Sequence, residues 1–213
     1  MGAAVPKALM PLAGRPMLGW SIDALRRSAE IGEIVVLAPP GLEAEVRAAV
    51  GPVARVRVVA GGASRAESVR EGVRAAAPDA ERLLVHDAAR PLVTPALIEG
   101  VLGGMEGVDG AIAAAPAPDT LKRAAEGELI AGTVDRAGLW GAQTPQAFWA
   151  PALRAAIEAA VAEGRLAEAT DCASMVEARG GRVRLVASAE PNLKVTTPAD
   201  AVLAAAVLAA RPQ

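Results

Sequence analysis

Short branched apolar runs bounded by Gly and Pro alternate along this chain with longer alanine-rich stretches of helical period. Such alternation predicts a mostly parallel sheet covered by helices, because compact apolar runs suit buried strands and 3.6-residue periodicity suits amphipathic helices. IVVLA (34–38), VRVVA (56–60), LLVHD (83–87) and GAIAAAP (110–116) read as strands. MLGWSIDALRRSA (17–29), SRAESVREGVRAAA (64–77) and TPALIEGVLGGME (94–106) read as the helices between them. Each step from strand to helix is a crossover, so right-handed connections and an open α/β sheet are expected.

The rhythm changes over 116–148. Turn signals at Pro118-Asp119 and Glu126-Gly127 separate polar segments too short for packed helices, which predicts an extended hairpin or arm reaching toward a second subunit. Beyond it, helices are expected at about 150–163 and 170–179, strands at VRLVA (183–187) and NLKV (192–195), and a final helix from Pro198. Thr197 followed by Pro198 is a strong helix start, an N-cap hydroxyl before a residue with no amide hydrogen to lose.

Composition narrows the function. The 213 residues are 53% hydrophobic with one Phe and no Tyr, so packing relies on small aliphatic side chains and aromatic stacking on bases is not expected. The length suits one domain spanning 1–213. With 22 basic and 24 acidic residues and a net charge of −2, the chain has no basic stripe to track a polynucleotide, though small phosphorylated ligands remain open. Cys172 stands alone, which excludes an intramolecular disulfide and suits a reducing cytoplasm. The longest apolar run, 201–210, is too short to span a bilayer.

One strand ends in charge: LLVHDAARPLV brings His86, Asp87 and Arg90 to a single strand end. In open α/β sheets ligands sit beyond the carboxyl ends of strands, where a lone carboxylate holds Mg²⁺ together with waters and substrate phosphates. An Asp87–Arg90 ion pair closing the strand is the alternative. His86 reads as a satisfied structural histidine or a general base, with no Ser or Cys nucleophile pattern beside it. In GGASRAESV (61–69) a Gly61-Gly62 turn leads into a helix start at Ser64. Free N–H groups there, with Arg65 and Ser68, would receive part of a nucleotide, although an ordinary turn looks the same. Lys7, DTLKR (119–123), TVDR (133–136) and Lys194 place further charges in proline-marked settings.

The succession VHDAARP, GGASRAESV, DTLKR, TVDRAGLW, QTPQ, TD-x-AS and NLKVTTPAD resembles the bacterial 2-C-methyl-D-erythritol 4-phosphate cytidylyltransferases from Pro6 to about Ala205. The resemblance implies a nucleotide-diphospho-sugar transferase-like, Rossmann-like doubly wound fold, with an arm at about 117–142 exchanged in a cytoplasmic homodimer. It implies Mg²⁺ as cofactor and CTP and methylerythritol phosphate as substrates, with no nucleic acid or membrane partner. Lys7 would neutralise the CTP phosphates and Asp87 would ligate Mg²⁺. Gly61, Gly62, Arg65 and Ser68 would belong to the nucleotide pocket. Arg136, acting in the partner's site, and Lys194 would hold methylerythritol phosphate, with Arg90, Thr120, Thr144 and Thr170 lining that pocket. A ribitol 5-phosphate cytidylyltransferase and a non-catalytic nucleotide-binding relative are the alternatives.

The chain departs from the family pattern in two places. Family members begin with a strand and a loop Pro-Ala-Ala-Gly-x-Gly-x-Arg before reaching Pro-Lys, whereas Met1-Gly2 here aligns with the end of that loop. The expectation is that the native start lies upstream and that the absent strand belongs in the middle of the sheet. Near Ala63, family members often carry an acidic residue.

Overall fold

In the computed structural model, which describes residues 6–211, helices flank a sheet that comes in two pieces. The alignment of Met1-Gly2 lies outside the described residues. In chain order the elements are β1 (Pro11–Leu12), β2 (Arg15–Pro16), α1 (Met17–Arg27), β3 (Ile34–Ala38), α2 (Glu43–Val50), β4 (Val56–Ala60), α3 (Arg65–Ala75), β5 (Arg82–Val85), α4 (Pro95–Gly103) and β6 (Gly110–Pro116). There follow β7 (Leu121–Ala124), β8 (Ile130–Val134), β9 (Trp140–Trp149), α5 (Ala150–Ala162), α6 (Cys172–Glu177), β10 (Val183–Ala187) and α7 (Pro198–Ala210).

The larger piece has the order β10-β6-β9-β5, while β3 and β4 pair in parallel as a two-stranded piece. β9 runs antiparallel to both β5 and β6, and β10 is parallel to β6, so β9 alone opposes the direction of its sheet. Strand β6 is fully buried through Ala111, Ala113 and Ala114, whose methyl groups let helices approach closely. Gly110 is required there, since a Cβ would lie 2.2 Å from the Phe148 ring. Phe148, Leu153, Ile157 and Cys172 fill the core on one side of the sheet, and Val93, Ile98, Val101 and Met105 fill another cluster. Each large apolar side chain so buried contributes about 1.5–3 kcal/mol.

The structure corrects three sequence expectations. Residues 140–149, read as part of the arm, form the inner strand β9. Residues 43–50, where no element was expected, form α2. NLKV (192–195) is not a strand. Its backbone is spent on tertiary bonds instead: Val195 N–H donates to Ala89 O at 2.7 Å, and Asn192 O accepts from Arg90. The arm is therefore the β7–β8 hairpin, antiparallel and solvent-facing, with Leu129 and Ile130 about 70% exposed at its tip. Thr197 caps α7 as expected, in a reciprocal capping box with Asp200. No helix among the described residues is long and apolar enough to cross a membrane.

Candidate active site

Strand β5 delivers His86 and Asp87 just beyond its carboxyl end, and β9 lies beside it in the register Val85↔Gln146. That register puts Thr144 next to the turn after β5, where Asp87 N–H donates to Thr144 Oγ1 at 3.0 Å. Arg90 N–H donates to Asp87 O at 2.9 Å and closes the turn.

From β4 the chain enters α3 through Gly61-Gly62. Gly61 N–H donates to Ala38 O at 2.7 Å, and a Cβ on Gly62 would sit 2.2 Å from the Glu67 Cβ, so the turn needs glycine to lie against its own helix. Ser64 and Glu67 form a capping box at the head of α3. This fixes the first residue of the helix, Arg65, whose Nε–H donates to Asp87 Oδ1 at 3.1 Å.

A third segment, 192–197, crosses the same turn. Lys194 Nζ donates to Asp87 Oδ2 at 2.8 Å, and Lys7 Nζ donates to Thr196 O at 3.1 Å. Asp87, with a side chain 16% exposed, is thus held between two cations that are 34% and 44% exposed. Burial works against its charge, but Lys194 and Arg65 outweigh that and keep the carboxyl below its ordinary range. Arg65 is half-buried, which works against its charge, but the Asp87 carboxylate beside it helps hold its pKa above the ordinary value. Burial pushes the Cys172 thiol up to about 11, which leaves it protonated and inert.

Of the residues singled out in the sequence, Arg65, Asp87 and Lys194 meet directly, Arg90 sits on the same turn, and Lys7 joins through Thr196. The Asp87–Arg90 side-chain pair, the alternative for this strand end, gives way to these contacts, and Arg90 donates from Nη1 to Asn192 O at 2.7 Å. Its buried Nε has no hydrogen-bond partner. Two hydroxyls find their partners within the protein. Thr144 is only 3% exposed, and its hydroxyl meets Asp87 N–H and His86 Nδ1. The Ser68 hydroxyl donates to Ser64 O and accepts from Gly62 N–H, so it braces the glycine turn.

Thr170 is exposed beside the cap of α6. Thr120 and Arg136 lie on the exposed arm, where the Arg136 guanidinium donates to Pro118 O. Sequence reasoning missed Gln146, Asp171 and Asn192. Gln146, 1% exposed, donates to Asp171 Oδ2 at 2.8 Å and accepts from Cys172 N–H at 3.0 Å, while Asn192 donates to Thr144 O at 2.9 Å. Gln146 and Asn192 stand inside the QTPQ and NLKV motifs, which is the signal that could have found them.

Burial lowers the His86 pKa from an ordinary 6.5 to about 4. Between those values the unfolded chain takes up a proton that the folded one refuses, so stability is lost as pH falls from about 6.5 to about 4. The full loss is on the order of 3 kcal/mol. Urea midpoints near neutrality and near pH ~4.5 should show this fall in the wild type, and His86→Gln should lack that share of it. Asp87 acts in a lower window, losing its contribution as pH drops below the ordinary carboxylate range.

No group of three or more His, Cys, Asp or Glu side chains among the described residues could cage a metal ion. Asp87 suits the other mode, in which one carboxylate holds Mg²⁺ and substrate phosphates and waters complete the shell.

A family model described as IspD, 2-C-methyl-D-erythritol 4-phosphate cytidylyltransferase, matches residues 1–210. The chain is 46% identical to the enzyme of that name from Ralstonia nicotianae, over 98% of this chain and 86% of the relative. It is 42% identical to one from a Synechococcus species, over 99% and 93%. Among solved structures it resembles 2-C-methyl-D-erythritol 4-phosphate cytidylyltransferase from Thermus thermophilus, with a TM-score of 0.82, 38% identity and coverage of 97% and 96%. A 4-diphosphocytidyl-2C-methyl-D-erythritol synthase from Anaerococcus prevotii gives a TM-score of 0.85 at 27% identity, over 95% and 93%.

Proposed function

The chain belongs to the 2-C-methyl-D-erythritol 4-phosphate cytidylyltransferase family, and from that premise we propose how its residues divide the work. The reaction it catalyses transfers a cytidylyl group from CTP to 2-C-methyl-D-erythritol 4-phosphate. A phosphate oxygen of the acceptor bonds to the α-phosphorus of CTP, the α–β bridging P–O bond breaks, and pyrophosphate leaves with the electron pair. No protein nucleophile is needed, so catalysis amounts to positioning and charge neutralisation.

The observation that carries the assignment of roles is the Asp87 carboxylate held between Arg65 and Lys194 beyond the end of β5. Asp87 is the group that would hold Mg²⁺, which when bound offsets negative charge on the phosphates. Were Asp87 to hold Mg²⁺, Arg65 or Lys194 would be left available to a phosphate. Arg65, at the head of α3 beside Gly61 and Gly62, faces the nucleotide, and Lys7 neutralises its phosphates. Lys194 and Arg90 receive the acceptor's phosphate, with Thr170 on that pocket's wall.

Arg136 and Thr120 are carried by the β7–β8 arm, and they reach a site by exchange of arms within a homodimer. The exposed Leu129 and Ile130 support this, being apolar area that a partner would cover. The domain is a single cytidylyltransferase unit, and its charged substrates argue for the cytoplasm.

Pyrophosphate release tests the assignment, measured with CTP, methylerythritol phosphate and Mg²⁺ and then with each omitted in turn. Release that needs all three is the expected result. Release without Mg²⁺ removes the metal role from Asp87, and release without the acceptor reduces the reaction to nucleotide hydrolysis.

A further inference from the structure

The turn from Asp87 to Arg90 carries two of the charges just assigned, and both of its ends are gripped from outside. At one end, Asp87 N–H donates to Thr144 Oγ1 at 3.0 Å, and that oxygen lies 3.1 Å from His86 Nδ1. At the other, His86 Nε2 lies 3.1 Å from Arg90 O. A carbonyl can only accept, which fixes a hydrogen on Nε2, and a neutral imidazole with its hydrogen there has a bare Nδ1. The Thr144 hydroxyl, having accepted from Asp87, donates to Nδ1, and Nε2–H donates to Arg90 O. In this arrangement both ring nitrogens are engaged within the protein, and neither is free to take a proton from substrate.

We propose that His86 is a positioning residue for cytidylyl transfer: together with Thr144 it clamps both ends of the Asp87–Arg90 turn, so that the carboxylate and the guanidinium meet their ligands in fixed register. The inference rests on the reading of Asp87 and Arg90 given above. It assigns the histidine a role that is neither general base nor mere filler. Thr144 comes from β9, two residues before Gln146, which pairs with β5 on one side and β6 on the other, so the clamp ties a loop to a strand held within the sheet.

The test compares wild type, Thr144→Val, Thr144→Ser and His86→Gln in steady-state pyrophosphate release, with Mg²⁺ half-saturation and melting temperature measured for each. Valine keeps the shape of threonine and removes the hydroxyl, so kcat should fall about 10- to 100-fold and the Mg²⁺ requirement should rise. Serine, which restores the hydroxyl, should recover the rate to within about threefold of wild type. His86→Gln keeps a donor toward Arg90 O but puts no acceptor where Nδ1 stands, so it should resemble Thr144→Val.

A Thr144→Val protein with unchanged kcat and Mg²⁺ requirement overturns the proposal, and so does a serine variant as impaired as the valine one. Should Thr144→Val fail to fold, the native enzyme supplies the second readout, because His86 is the only histidine in the chain. Its ¹⁵N spectrum at neutral pH should show one imidazole with hydrogen on Nε2 and a bare, hydrogen-bonded Nδ1. Hydrogen on Nδ1 sinks the clamp. If Asp87→Asn leaves activity intact, the underlying reading fails; if Asp87→Asn is dead and Thr144→Val is silent, only the clamp fails.

Discussion

Asp87→Asn is expected to eliminate Mg²⁺-dependent pyrophosphate release, by about 10³-fold or more, while the protein stays folded. The asparagine keeps the shape of the side chain but loses the charge that both a metal ion and the two flanking cations require. Breaking a buried ion pair usually costs about 3–5 kcal/mol because a charge is left stranded. Here Lys194 and Arg65 are 44% and 34% exposed, so both can turn to water and the stability cost should be well below that range. The decisive comparison is kcat at saturating Mg²⁺ beside the melting temperature of the same preparation. Near-normal turnover removes Asp87 from the metal site. Joint loss of turnover and fold would mean that the carboxylate is chiefly an anchor for the 192–197 segment.

Arg136→Ala should cost about 2–5 kcal/mol of transition-state stabilisation, the penalty for removing a desolvated phosphate partner. Its effect on folding should be small, since Arg136 is exposed and its guanidinium bonds only to Pro118 O on the same arm. Location makes the variant more informative than its rate alone. If arms are exchanged, mixing Arg136→Ala subunits with Asp87→Asn subunits creates dimers in which one site has every residue intact. Random reassortment should then restore roughly one quarter of the wild-type rate from two nearly inactive proteins. No recovery after subunit exchange would place Arg136 in its own chain's site.

Where the sequence was legible, its signals were local. β3, β4, β6 and β10 coincide with the expected runs because each is a compact apolar segment with a breaker at one or both ends, and α3, α5 and α7 begin at or within one residue of their expected starts. β9 escaped because its composition contradicts its position. An inner strand carrying Gln143, Pro145 and Gln146, following Gly138 and Gly141, offers no apolar run, and Gln146 is tolerated in the core only because Asp171 and the Cys172 amide satisfy it. α2 was hidden behind Pro39-Pro40-Gly41, which announce a turn but carry no signal for the helix after it.

The site was legible only in part. Asp87 could be suspected from a strand that ends in charge, but nothing local connects it with Lys194, 107 residues away, and only the family resemblance grouped them. The resemblance in turn could not show that Thr144 and Ser68 face inward, because hydroxyl direction depends on which backbone groups need a partner after folding.

The position of β9 also bears on how the molecule opens. Residues 146–148 pair with β5 on one side and β6 on the other, and the strand is buried without interruption from Thr144 to Phe148. Backbone amides so enclosed exchange with solvent only when the whole domain unfolds, whereas those of the β7–β8 hairpin can exchange by separating a single pair of strands. Hydrogen exchange should therefore divide the chain into a slow unit that holds the charged turn and a fast unit that carries Arg136. The arm can fray without loosening the charged turn.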